Sequence, residues 1–278
     1  MRAAAGLVLA LLAAGCTQLF LHPGRMQVLH PQKLGLAYED VWLAAPDGAG
    51  LHGWYLPAPV PARGTVLHLH GNAENITTFI AAVQWLPAAG YNVLMVDYRG
   101  YGRSEGVATI DTVHEDARLA LDAALARQGP GLGPLFVFGQ SLGGSAAVYA
   151  VAHHPQRARV AAVVTQGAFS SYRRIAREKM GQAWFTWPLQ WPLSLLFSDR
   201  YAADRAAAAL APVPLLVVHG EHDAVVPVAH ARRLYEAARA PRELWIVPGA
   251  GHVDAFNTAG SRERLLAFLD SRGRAAAP

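Results

Sequence analysis

Cysteine is almost absent from this chain. Cys16 is the only one in 278 residues, which excludes an internal disulfide and any cluster of thiolate metal ligands. Lysine is nearly as scarce: Lys33 and Lys179 stand alone among 24 basic side chains, the rest being arginines with no basic run anywhere. A net charge of +4 carried so diffusely argues against a nucleic-acid-binding face. Charged residues make up only 16% of the chain against 53% hydrophobic, which excludes a disordered polymer and is ample for a buried core. Metal-ligand groupings are missing too. His68 and His70 alternate along one apolar run, but no cluster of acids accompanies them.

The lone cysteine stands at a telling place. Met1-Arg2 is followed by the uncharged apolar stretch from Ala3 to Gly15, which ends in Leu12-Ala13-Ala14-Gly15-Cys16. A basic start, a short apolar run and small residues describe a secretory signal; a membrane-spanning helix needs about 20 apolar residues. Small residues leading into cysteine resemble the lipobox of bacterial lipoproteins. That resemblance implies removal of residues 1–15, acylation of Cys16, and a protein held on the membrane by two or three acyl chains, where one chain alone holds only marginally. Ala13 departs from the pattern, which more often has Leu there. Thr17 in place of Asp implies sorting to the outer membrane, facing the periplasm. A plain signal or uncleaved anchor that happens to carry a cysteine fits the same residues.

From Glu39 onward strands and helices alternate. Asp40 to Ala44 and Leu51 to Leu56 read as a hairpin around the turn signal Pro46-Asp47-Gly48. Further strands are expected at Gly64 to Leu69, Asn92 to Val96, Leu135 to Phe138, Val160 to Thr165, Leu215 to His219 and Leu244 to Val247. Helices are expected at Thr109 to Arg127, Leu142 to His153, Pro227 to Ala238 and Ser261 to Leu269. This alternation implies an α/β fold with a mostly parallel central sheet of about eight strands, covered by helices on both faces. Residues 16–38 are then a tether and N-terminal segment, and 39–278 form one domain.

The segment from Phe169 to Arg205 breaks the alternation. It carries Trp184, Phe185, Trp187, Trp191, Leu193, Leu195, Leu196 and Phe197, while Pro188 and Pro192 prevent a long helix. It reads as a cap of short helices inserted above the sheet. Its aromatics are either ordinary core or a lid over an apolar acyl pocket, with direct contact to the bilayer a further reading for a lipid-anchored chain; Trp184, Trp187 and Trp191 are the lid candidates.

Chemistry is carried by Gly139-Gln140-Ser141-Leu142-Gly143. Gly-x-Ser-x-Gly between a strand and a helix sets a serine on a sharp turn with its hydroxyl exposed. A serine hydroxyl needs a base to take its proton and a carboxylate to orient that base. Asp223 and His252 each follow an expected strand directly and come in the order acid, then base. Glu221 and Asp254 are competing acids nearby. Developing charge on a tetrahedral oxyanion needs donors, each worth about 3–4 kcal/mol. The backbone N–H of Leu142, opening the helix, is one candidate. The backbone N–H of Asn72, in the loop His70-Gly71-Asn72-Ala73-Glu74-Asn75, is the second. His70 is expected to support that loop by hydrogen bonding.

These motifs, with Asp97-Tyr98-Arg99-Gly100-Tyr101-Gly102-Arg103-Ser104-Glu105-Gly106 and Gly220-Glu221-His222-Asp223-Ala224-Val225-Val226-Pro227, resemble the α/β-hydrolase superfamily over about residues 39 to 272. The branch most similar in appearance holds acyl-protein thioesterases and related esterases. A serine at the elbow separates the chain from the dehalogenase and epoxide hydrolase branches, which use Asp there. The resemblance implies a serine hydrolase of esters or thioesters that needs no cofactor and acts on a small-molecule or lipid-like acyl substrate. It also implies that Asp97 and Arg99 are structural. A serine peptidase, or an inactive binding protein on the same fold, remains open. Nothing in the sequence speaks to oligomeric state.

Overall fold

The computed structural model describes residues 20–59, 61–182 and 184–276; Cys16 and the expected signal lie outside them. Eight strands form one sheet: β1 Glu39–Ala44, β2 Gly50–Leu56, β3 Gly64–Leu69, β4 Tyr91–Val96, β5 Leu135–Gln140, β6 Val160–Gln166, β7 Leu215–Gly220 and β8 Arg242–Val247. Their spatial order is β1-β2-β4-β3-β5-β6-β7-β8. β1 with β2 and β2 with β4 are antiparallel, and all other pairs are parallel.

The central strands are buried on both sides, so they read as continuous apolar runs rather than as alternating ones. The period of two nevertheless sorts their side chains. Leu67, Leu69, Leu94 and Val96 enter a core on one face, with α2 (Ile110–Ala126), α3 (Leu142–Ala152) and α7 (Ala229–Ala237). Val66, Val93 and Met95 enter a second core on the other face, with α1 (Ile76–Val83) and α8 (Ser261–Ala276). Thr109 caps α2 by accepting the Thr112 N–H at 3.0 Å, and the Thr112 hydroxyl accepts the Thr109 N–H in return.

Two helices differ from the expectation. Helix α1 was not anticipated; its cap Asn75, which accepts the Thr77 N–H at 2.9 Å, belongs to the same loop that was read only for oxyanion donors. Helix α8 continues past Leu269 to Ala276. The described part of the N-terminal segment packs on the domain. Leu21 is buried, and the ring of Phe20 makes edge contacts with Phe169, Tyr172 and Phe197.

The insertion folds as short pieces: α4 Tyr172–Gly181, a 3-10 turn Trp187–Leu189, α5 Gln190–Ser194 and α6 Ala203–Ala207. Pro188 sits in the first turn of the 3-10 piece, where its missing N–H costs nothing.

Candidate active site

The sheet reverses its winding at β3, whose two neighbours are β4 and β5. The crevice beyond the carboxyl ends of strands at such a point is where open α/β sheets bind ligands. Ser141 follows β5 there, and Asn72 lies in the loop after β3. Asp223 follows β7 and His252 follows β8, so four segments distant in sequence end at one edge.

Ser141 has φ 51° and ψ −115°, a conformation that non-glycine residues avoid. Its neighbours hold it there. The Ser141 N–H donates to Gln166 O at 2.8 Å, and the Ser141 carbonyl accepts from the N–H groups of Gly144 and Ser145 as α3 begins. The motif glycines follow from close approach rather than from flexibility. A Cβ on Gly139 would collide with Gly143 O, and one on Gly143 would collide with Leu69 O. Below the elbow, His68 Nε2–H donates to Gln140 Oε1 at 2.9 Å, and Gln140 Nε2 donates to Gln166 Oε1 at 2.8 Å. Burial drives His68 down to about 4, so the imidazole is neutral and the chain of donors has one direction.

Asp223 and His252 meet directly. His252 Nδ1–H donates to Asp223 Oδ2 at 2.7 Å, while Asp223 Oδ1 accepts from Val225 N at 2.8 Å and Val226 N at 2.7 Å. Burial pushes the Asp223 carboxyl up, but bonds from His219, His252 and the Val226 N–H outweigh it and hold the group well below the usual carboxylate range. His219 had no part in the sequence reading. It is fully buried, donates from Nε2 to Val226 O at 2.8 Å, and approaches Asp223 Oδ2 at 3.2 Å with the same nitrogen. Its signal was only the i, i+4 spacing across the end of β7. Of the competing acids, Glu221 accepts from Gly249 N and Asp254 from Asn257 Nδ2, so Asp223 is the carboxylate that faces the histidine. Gly167, at φ 63° after β6, lies where a Cβ would come within 3.1 Å of the His252 ring.

The loop after β3 is clamped from two sides. His70, driven by burial to about 3 and hence neutral, donates from Nδ1 to Gly71 O at 2.7 Å. The Asn72 side chain donates to Phe20 O at 2.7 Å and accepts from His22 N at 2.9 Å and Tyr101 Oη at 2.7 Å. Leu142 N–H is in the first turn of α3, where no carbonyl four residues back is available to it. Asp97 and Arg99 stay out of the crevice: Asp97 Oδ1 accepts Ile76 N at 2.8 Å, and Arg99 binds Asp116, Glu115 and Asp47.

A cleft of about 290 Å³ opens beside Ser141 and Leu142. Phe20, Phe169, Ile175, Val225 and Val226 form its apolar wall, with His22, Asn72 and Lys179 at its rim. The lid candidates sit elsewhere. Trp184, Trp187 and Trp191 are 87%, 61% and 64% exposed, and the cleft is walled instead by α4 and the N-terminal segment. Among the described residues no group of three His, Cys, Asp or Glu side chains is placed to hold a metal ion, and no helix is long and apolar enough to cross a membrane.

This sheet order, with a strained serine at the β5 elbow and an acid–histidine pair after β7 and β8, defines an α/β-hydrolase. Residues 60–206 match the family described as serine aminopeptidase, S33, and the chain is a hydrolase that belongs to it. It is 36% identical to YfhR of Salmonella typhi over 248 residues, 84% of this chain and 82% of that one. The α/β-hydrolase domain-containing protein WAV2 of Arabidopsis thaliana is 32% identical over 241 residues, 83% of this chain and 77% of its own. Among solved structures, an esterase of Pyrococcus furiosus superposes with a TM-score of 0.71 at 22% identity, covering 91% of this chain and 96% of that one, a likeness of fold.

Proposed function

We propose that this hydrolase cleaves carboxylic ester or thioester bonds through an acyl-enzyme on Ser141. The observation that carries the reading is the strained Ser141 elbow at the mouth of an apolar cleft, on the same sheet edge as the bonded His252–Asp223 pair. Ser141 Oγ attacks the acyl carbonyl and its proton passes to His252 Nε2. Asp223 fixes the tautomer that leaves Nε2 free to accept, and it stabilises the imidazolium. The N–H groups of Leu142 and Asn72 receive the oxyanion. His252 then gives its proton to the departing alcohol or thiol. Water, deprotonated by the same histidine, adds to the acyl carbonyl and releases the acid, returning the proton to Ser141.

The family's name raises aminopeptidase action as a second reading. The cap acids that could hold a substrate ammonium are Glu178, Asp199 and Asp204, and each is otherwise engaged, Asp204 facing Arg174 at 4.0 Å. Glu178 accepts from His230 Nε2 at 2.8 Å, and Asp199 accepts from Ser171 Oγ at 2.7 Å and Arg173 N at 3.0 Å. An apolar cleft with those acids spent favours an acyl chain. The chain works, in this reading, held by acylated Cys16 on the outer membrane and facing the periplasm.

The test is a substrate series of p-nitrophenyl esters of rising chain length, acyl thioesters and aminoacyl anilides, run on wild type and Ser141→Ala. Ester and thioester turnover should dominate, and Ser141→Ala should abolish it with an unchanged melting temperature. Turnover persisting in that variant would remove Ser141 from the mechanism, and dominant anilide cleavage would favour the peptidase. Fatty-acid labelling should tag wild type and spare Cys16→Ala.

A further inference from the structure

Eleven large apolar side chains are exposed among the described residues, and six of them fall within the insertion: Trp184, Phe185, Trp187, Leu189, Trp191 and Leu195. The other five are dispersed along the chain, as isolated exposed apolar residues commonly are. A concentration of this kind on one short segment marks a contact surface. The cleft does not account for it, because none of the six lines the space beside Ser141.

What covers this surface can be argued from its neighbours. Helix α4 packs against it and carries Arg173, Arg174, Arg177 and Lys179; its one acid, Glu178, is committed to His230, and Asp204 faces Arg174 at 4.0 Å. The Arg177 guanidinium lies 4.1 Å from the centre of the Trp191 ring, so cationic and aromatic groups are interleaved. The N-terminal segment enters the molecule here: Phe20 touches Phe197, two residues from exposed Leu195. Cys16 precedes Phe20 by four residues, a reach of at most about 14 Å. Between Cys16 and Phe20 the sequence carries no charged residue.

We infer that the Trp184–Leu195 face docks into the interfacial layer of an anionic phospholipid bilayer and sets the mouth of the Ser141 cleft at headgroup level. Indole and phenyl rings favour that layer, and a basic helix beside them is drawn to anionic lipid. A second copy of the chain is the poorer occupant, since two-fold pairing on this face would bring α4 and its cations towards their own image. The inference rests on the acylated Cys16 for the direction in which the molecule faces the membrane. It does not depend on which bond Ser141 cleaves.

The experiment uses the full acylated chain in phosphatidylcholine–phosphatidylglycerol vesicles that carry brominated acyl chains, with tryptophan emission as the readout. Wild type should be strongly quenched, and the variant Trp184→Ser, Trp187→Ser, Trp191→Ser should lose most of the quenching while melting at the wild-type temperature. Arg177→Glu, which leaves the rings in place, should weaken quenching in phosphatidylglycerol vesicles more than in pure phosphatidylcholine. Equal quenching in wild type and the triple variant, or none in wild type, overturns the inference. So does a dimer in wild type that the triple variant loses while bromolipid has no effect. Fatty-acid labelling reports the anchor separately, and ester turnover reports Ser141 separately, so failure of either reading is told apart from failure of the docking face.

Discussion

Asp223 divides its two oxygens between jobs: Oδ2 takes the Nδ1–H of His252 at 2.7 Å, and Oδ1 is pinned by the N–H groups of Val225 and Val226. The backbone therefore fixes the carboxylate before the histidine is asked to use it. Asp223→Asn should lower kcat by about 10⁴-fold with little change in KM, because the amide no longer enforces the useful tautomer. His219→Ala removes the second imidazole from Oδ2 and should cost about tenfold, equivalent to about 1.4 kcal/mol. Steady-state kinetics on a soluble p-nitrophenyl ester measure both, and the ranking of the two losses is the point to check.

In the proposed mechanism the Asn72 backbone N–H receives the oxyanion, and its side chain is bonded to Phe20, His22 and Tyr101. Asn72→Ala keeps the N–H and removes all three ties. The expected result is a fall in kcat of about ten- to hundredfold, smaller than the 10²–10³ of losing a donor outright. KM for a short ester should move much less.

Phe20 closes one side of the cleft, and its ring packs on Phe169, Tyr172 and Phe197. Phe20→Ala should shift the preferred acyl chain to longer esters, read as the chain length of maximal kcat/KM. An unchanged profile would mean that the acyl chain does not run along this wall.

Burial pushes the Asp97 carboxyl up to about 7, with the Ile76 and Arg103 amides opposing the rise. Its nearest titratable neighbour is His70 Nε2 at 3.4 Å. The folded protein thus holds this proton more tightly than the unfolded chain does. That contribution to stability is complete below about pH 4 and is lost as pH rises through about 7. Asp97→Asn has no such proton to lose. The melting temperature of wild type minus that of the variant should therefore fall from pH 4 to pH 8. Taking the difference isolates Asp97 from Asp116, whose carboxyl is also raised, to about 6.

Most of the sheet was legible because strands buried on both faces announce themselves as short apolar runs, and the turns between them carry glycine, proline and aspartate. The elbow was legible for a related reason. Gly139 and Gly143 are required by backbone contact, and contact of that sort leaves a mark on the sequence. Other parts depend on partners distant in the chain. Residues 20–26 look unremarkable locally, yet Asn72, Asn75 and Gly100 bind their backbone or side chains, and no periodicity encodes that. His219 reads as one more residue of a buried strand; only the fold turns it towards Asp223. The tryptophans of the insertion were read as lid or core because large apolar rings are usually covered. Their exposure depends on how Pro188 and Pro192 break the segment into pieces too short to bury them.

The bracket that Asn72 makes with Phe20 and His22 also moves the edge of the working enzyme. Strand β1 starts at Glu39, which looks like the natural place to begin a trimmed version of the protein. Cutting there would keep every strand and all of Ser141, Asp223 and His252 while discarding one wall of the cleft and two of the ties on the loop after β3. Part of what shapes the cleft therefore lies upstream of the first strand.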